Sequence, residues 1–118
     1  MRKWLAMASA LFLGSMAATA AQAHAFLDHA SPLVGSTVGT APHEVSLSFT
    51  QDLEPSFSTV AVTGPNGARV DAGKAQISGN TMRVGLKATG AGTYHVHWHA
   101  LSVDTHTTQG SFTFHVGQ

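Results

Sequence analysis

The chain has 118 residues, with six basic side chains, six acidic ones, eight histidines and no cysteine, and its formal charge is zero. That length suits one small domain; the lack of cysteine excludes disulfides and thiolate metal sites, and the balanced charge excludes a basic nucleic-acid surface. Only 10% of residues are charged, which leaves histidine as the main polar chemistry on offer.

The chain opens with basic Arg2 and Lys3, an apolar run from Trp4 to about Ala18, and the small-x-small triplet Ala21-Gln22-Ala23. This order predicts a secretory signal peptide over residues 1–23, cleaved after Ala23. The run is short, its centre is rich in Ala, Gly and Ser, and no second span follows, so the processed protein is not expected to span a membrane. Residues 24–118 then form the domain, with four basic and six acidic side chains. Met1, Met7 and Met16 fall in the leader and leave Met82 alone, so no methionine-rich Cu(I) site is expected. Cleavage makes His24 the N-terminal residue. A terminal histidine offers an α-amine and an imidazole nitrogen together, a chelating pair that no internal histidine supplies.

Beyond His24, a first strand is expected at about 25–30, followed by a polar stretch marked by Ser31-Pro32 and Ala41-Pro42. Val45, Leu47 and Phe49 alternate with Glu44, Ser46 and Ser48, the pattern of a half-buried strand. Asp52 and Glu54, beside Pro55, read as a solvated loop. Val60 and Val62 continue the period-two pattern, and Gly64-Pro65-Asn66-Gly67 and Ser78-Gly79-Asn80 carry turn chemistry. Met82, Val84 and Leu86 form the next inward row, then Tyr94, Val96, Trp98 and Ala100, and last Phe112, Phe114 and Val116. Six or seven such strands, with no helix of normal length and no repeat, predict an all-β, immunoglobulin-like Greek-key sandwich or barrel.

Two histidine patterns stand out. In Ser102-Val103-Asp104-Thr105-His106 a carboxylate and an imidazole sit two residues apart, and in extended chain that spacing turns both side chains to one side. Taken alone, D-x-H is more often a turn acceptor beside a solvated ring than a metal pair. His95, His97 and His99 alternate with Tyr94, Val96 and Trp98 and so share the outward face of one strand. They read as a solvated polar row or, more sharply, as a weak accessory copper or zinc site, since residues two apart on a strand lie about 6.6–6.8 Å from each other. His29, His43 and His115 read as isolated.

The chain resembles the CopC-type periplasmic copper-binding proteins. The resemblance rests on His24-Ala25-Phe26-Leu27, Ala30-Ser31-Pro32, Val45-Ser46-Leu47-Ser48-Phe49, Gly92-Thr93-Tyr94, Trp98, the D-x-H stretch and Gly110-Ser111-Phe112-Thr113-Phe114. It implies a Greek-key β-barrel and one Cu(II) ion held by the His24 amine and Nδ1, the His106 imidazole and the Asp104 carboxylate. It also implies a role in copper homeostasis or resistance, with a CopD-type inner-membrane copper transporter as partner. Three nitrogens and one carboxylate suit Cu(II), with zinc as the realistic competitor. Two departures from the family pattern matter. Gln51 stands where some members carry a carboxylate, which puts an axial ligand in doubt, and the stretch from about Gly64 to Ile77 has no methionine for a Cu(I) site.

Two other function classes fit parts of the sequence. A terminal-histidine copper site is also the core of lytic polysaccharide monooxygenases, but Asp104 would fill a position that oxygen activation needs open, and a domain of this size leaves little for a glycan-binding face. A plain immunoglobulin-like interaction domain would make His24 and D-x-H incidental. A binding protein rather than an enzyme is therefore the expectation.

Overall fold

Alternation of apolar and polar residues becomes strands that pack face to face. A computed structural model describes residues 25–87 and 90–117, and the expected leader over 1–23 and His24 lie outside the described residues. Eight strands and one short 3-10 turn follow in chain order: β1 (Leu27–Ser31), β2 (Thr37–Val38), β3 (Glu44–Phe49), the 3-10 turn (Pro55–Phe57), β4 (Thr59–Thr63), β5 (Asp71–Ser78), β6 (Thr81–Leu86), β7 (Gly92–Leu101) and β8 (Thr107–Val116). They form two four-stranded sheets, ordered β1-β3-β6-β5 and β2-β8-β7-β4. All pairings are antiparallel except β2 with β8, a two-residue parallel contact at the sheet edge.

The expected inward rows form the core. Val45, Leu47 and Phe49 of β3 and Met82, Val84 and Leu86 of β6 face Val60 and Val62 of β4, Tyr94, Val96, Trp98 and Ala100 of β7, and Phe112, Phe114 and Val116 of β8. Phe49 meets Trp98 edge to face at 5.0 Å, and Tyr94 stacks on Phe114 at 5.0 Å. The buried Tyr94 ring keeps its polar end satisfied by donating from its hydroxyl to the Gly90 carbonyl at 2.6 Å. The Trp98 indole lies over the backbone of its cross-strand partner Gly110, where an added Cβ would stand 2.6 Å from the ring. Only glycine leaves room for it.

Sequence periodicity predicts six or seven strands, and the described residues form eight. The additional pieces are β2, too short for a pattern, and β5, which follows the 64–67 turn. Strand β5 lies at a sheet edge, is exposed along most of its length, and has a register irregularity between Ala72 and Gln76. Its Ala75 and Ile77 pack half-buried against the core, an alternation too short and too weakly apolar to stand out in the sequence.

The edges of the two sheets are joined by Asp71. Its Oδ1 accepts the Val62 N–H at 3.0 Å, and the adjoining Val70 N–H donates to the Val62 carbonyl at 2.9 Å, which ties β5 of one sheet to β4 of the other. Arg69 binds the same carboxylate through two nitrogens, at 2.6 and 2.7 Å. These side-chain hydrogen bonds are the largest cause holding the Asp71 carboxyl below the usual carboxylate range; the Val62 N–H adds to them and partial burial opposes. A lowered native value means the contribution is fully present above the unfolded value of about 3.9 and fades as pH falls through the native one. Asp71→Ala is expected to cost about 1 kcal/mol at neutral pH. Urea denaturation should show the gap to the parent protein closing in strong acid; a gap that persists there contradicts this role.

Candidate metal centre

The D-x-H motif closes the longest hairpin of the molecule. Strands β7 and β8 pair from Gly92↔Val116 to Leu101↔Thr107, and Ser102–His106 is the turn between them. Ser102 N–H donates to the His106 carbonyl at 3.0 Å and Thr105 N–H to the Ser102 carbonyl at 2.8 Å. Thr105 has φ of 74°, so the turn is of the kind that ends with one residue in the left-handed region. Of the two readings of Asp104 and His106, extended chain or a turn, the structure shows the turn. The period-two rule therefore does not set their directions; both belong instead to one closed loop, with both side chains exposed.

The base of this loop is firmly held. Ser102 is buried, its Oγ accepts the His106 N–H at 3.4 Å, and its backbone bridges to Leu53. Val103 N–H donates to the Asp52 carbonyl at 3.1 Å, and Glu54 N–H donates to the Leu101 carbonyl at 2.8 Å. Asp52–Glu54 is thus a loop with the Asp52 side chain exposed, as its composition suggests, whose backbone also serves as a buttress. No periodicity announces that role, because the contacts are made by main-chain groups.

The chain enters the fold beside the same turn. Ala25 is fully buried and its carbonyl accepts the Thr108 hydroxyl at 2.6 Å, across 83 positions of sequence. Phe26 N–H donates to Thr50 Oγ1 at 3.0 Å, and Thr50 N–H returns a bond to the Phe26 carbonyl at 2.9 Å. The segment that starts at Ala25 is therefore clamped between the end of β3 and the start of β8, two residues after His106. His24, the remaining expected ligand, lies outside the described residues.

His95, His97 and His99 all lie exposed on the outer face of β7. Cross-strand register sets His97 between Ala61 of β4 and Ser111 of β8, and its Nδ1 is 2.9 Å from Ser111 Oγ. His115, read from sequence as isolated, joins this face: it pairs with Thr93, whose Oγ1 lies 2.9 Å from its Nδ1. The hairpin register set by the 102–106 turn is the signal that could have found it. His29 is exposed beside Asp28, and His43 is exposed in the loop before β3. Among the described residues no three His, Asp or Glu side chains are grouped so as to hold one metal ion.

A β-branched residue in the left-handed region is strained by about 1–2 kcal/mol. Thr105→Gly is expected to raise stability by about 1 kcal/mol in chemical denaturation, after the added flexibility of glycine is offset. Loss of stability on that change would mean that Thr105 makes contacts worth more than the strain.

Residues 27–117 match the sequence model of the CopC domain. The chain is 38% identical to copper resistance protein C of Pseudomonas syringae pv. tomato over 112 residues, covering 87% of this chain and 88% of that protein. It is 32% identical to protein YobA of Escherichia coli strain K12 over 113 residues, covering 92% of this chain and 91% of the other. Among solved structures, CopC from Methylosinus trichosporium OB3b superposes with a TM-score of 0.73 at 28% identity, covering 79% of this chain and 93% of that one. PcoC, a methionine-rich copper resistance protein from Escherichia coli, superposes with a TM-score of 0.70 at 33% identity, covering 80% of this chain and all of that one. With a domain match across nearly the whole sandwich, relatives of this identity and coverage, and the same two-sheet fold, the chain belongs to the CopC family.

Proposed function

We propose that this protein is an exported, periplasmic Cu(II)-binding protein of copper homeostasis and resistance. Its signal peptide occupies residues 1–23, cleavage follows Ala23, and residues 24–118 form the binding domain. One Cu(II) ion is held by the α-amine and imidazole of His24, the imidazole of His106 and the carboxylate of Asp104. The single observation that carries this reading is the Thr108 hydroxyl bonded to the Ala25 carbonyl at 2.6 Å. The residue peptide-bonded to Ala25 is His24, and the residue two before Thr108 is His106. Ala25 held against Thr108 in this way supports a site whose ligands stand some eighty positions apart in sequence, since closing that long loop is already met by the fold.

The donor set fits the cargo. Nitrogen and carboxylate donors on an exposed turn suit Cu(II), which heads the divalent affinity order, and the mature chain has only Met82, buried in the core, to offer a Cu(I) ion. A carboxylate at Asp104 favours storage over oxygen activation, so the protein binds copper rather than acting as an oxygenase. The similarity to CutJ of Bacillus subtilis, named a copper transport protein, supports onward delivery: the chain is 33% identical to a stretch that makes up 18% of that protein. There a domain of this kind is continuous with a much longer chain. Here an inner-membrane transporter of CopD type is the proposed recipient. Among the described residues no helix is long and apolar enough to cross a membrane.

Binding to the native state alone stabilises it, by about 2.7 kcal/mol at a free ion concentration of one hundred times Kd. Cu(II) is therefore expected to raise the Tm of the processed protein, and His106→Ala is expected to abolish most of that rise. Protons compete with copper for amine and imidazole nitrogens, so the same shift should shrink steadily as pH is lowered from neutral. A shift retained in His106→Ala, or unchanged in acid, would overturn the ligand set.

A further inference from the structure

We propose that the outer face of the β2-β8-β7-β4 sheet carries a second, more weakly held site for a borderline divalent ion such as Cu(II), centred on His97 with His95 or His99 as its partner. This inference is independent of the Asp104–His106 reading. Three features of the face carry it. First, the three imidazoles stand exposed at every second position of one regular strand, so adjacent pairs are about 6.6–6.8 Å apart at Cα on one face. Second, the central ring is oriented. With a proton on Nδ1, His97 donates to Ser111 Oγ at 2.9 Å and leaves the Nε2 lone pair directed outward, the arrangement in which an outer partner fixes tautomer and ring direction for a metal.

Third, the surroundings give the neighbouring rings room and the ion no charged competitor. His97 is flanked across the strands by Ala61 and Ser111, both small, so His95 and His99 can incline toward it. The other residues that β4, β7 and β8 direct outward here are Thr59, Thr63, Thr93, Gln109, Thr113 and His115, none of which bears a carboxylate or ammonium group. The nearest cation in register, Arg69 opposite Thr63, is bound by the Asp71 carboxylate. Since no three candidate ligands are grouped among the described residues, the site is a two-imidazole one, with water completing the coordination. Neutral imidazoles suit Cu(II) and Zn(II) and give calcium or magnesium nothing they prefer.

The test is equilibrium dialysis of the processed protein against Cu(II) buffered by glycine, with stoichiometry read by metal analysis. The parent protein is expected to take up a second ion in a weaker phase. His97→Ala should lower total uptake by one ion both in the parent, where the tight phase stays intact, and in a His106→Ala background, where the weaker phase is the one lost. Ser111→Ala should weaken the second phase about tenfold, since an outer partner of a metal-binding imidazole is worth that much or more. His43→Ala, at an exposed histidine away from this sheet face, should change nothing. Equal uptake and affinity in His97→Ala and its parent would overturn the proposal. Loss of the tight phase on His106→Ala bears only on the Asp104–His106 centre, and its retention there would sink that centre while leaving this site standing.

Discussion

A hydrogen bond from the Thr108 hydroxyl to the Ala25 carbonyl joins the beginning of the domain to its last hairpin, and the proposed copper chemistry depends on it. Its own energy is modest, about 1 kcal/mol. Its importance is positional. Ala25 is wholly buried, so the first described residue is a fixed part of the core rather than the end of a loose tail. The paired bonds between Phe26 and Thr50 hold the next residue just as closely. The entropy of bringing the chain's start to its end is thus met by folding of the sandwich, before any ion arrives. A chelate built on a terminal amine gains most from this kind of preorganisation.

The other half of the centre is held from the opposite direction. The 102–106 turn is tied by its own main-chain bonds, by the buried Ser102, and by the Asp52–Glu54 backbone beneath it. Beneath that lie Phe49 and Trp98 in edge-to-face contact, with Gly110 leaving space for the indole. A strained Thr105 at the tip is tolerated because the surrounding bonds over-determine the turn. Core packing and turn geometry are therefore one continuous structure, running from the aromatic interior of the sandwich to the exposed carboxylate and imidazole proposed as ligands at its end.

Most of the fold was legible as period-two alternation, because the inward rows of β3, β4, β6, β7 and β8 each meet the opposite sheet. What was not legible has common physical causes. Strand β5 is a mostly exposed edge whose bonds to β6 and β4 are made by backbone and by Asp71, and its half-buried Ala75 and Ile77 are too short an apolar rhythm to mark it. The Asp52–Glu54 buttress works through carbonyl and amide groups that every residue possesses. At the site, Asp104 and His106 could be picked out as residue types, but the spacing alone left open whether they lie in extended chain or in the turn with one residue at positive φ that they form. His115 could not be grouped with the β7 histidines until the hairpin register was known, because 16 residues separate it from His99 in sequence and only the pairing with Thr93 brings it to their face.

The central claim is that the copper centre needs the free amine of His24 together with the Asp104–His106 turn. The most direct measurement is a Cu(II) competition titration comparing protein that begins at His24 with protein carrying one additional alanine ahead of it. Both keep every side chain, and they differ only in whether the His24 nitrogen is an amine or an amide. The account predicts that the added residue weakens Cu(II) binding by well over tenfold, as loss of a ligand should. Equal affinity for the two forms would contradict it.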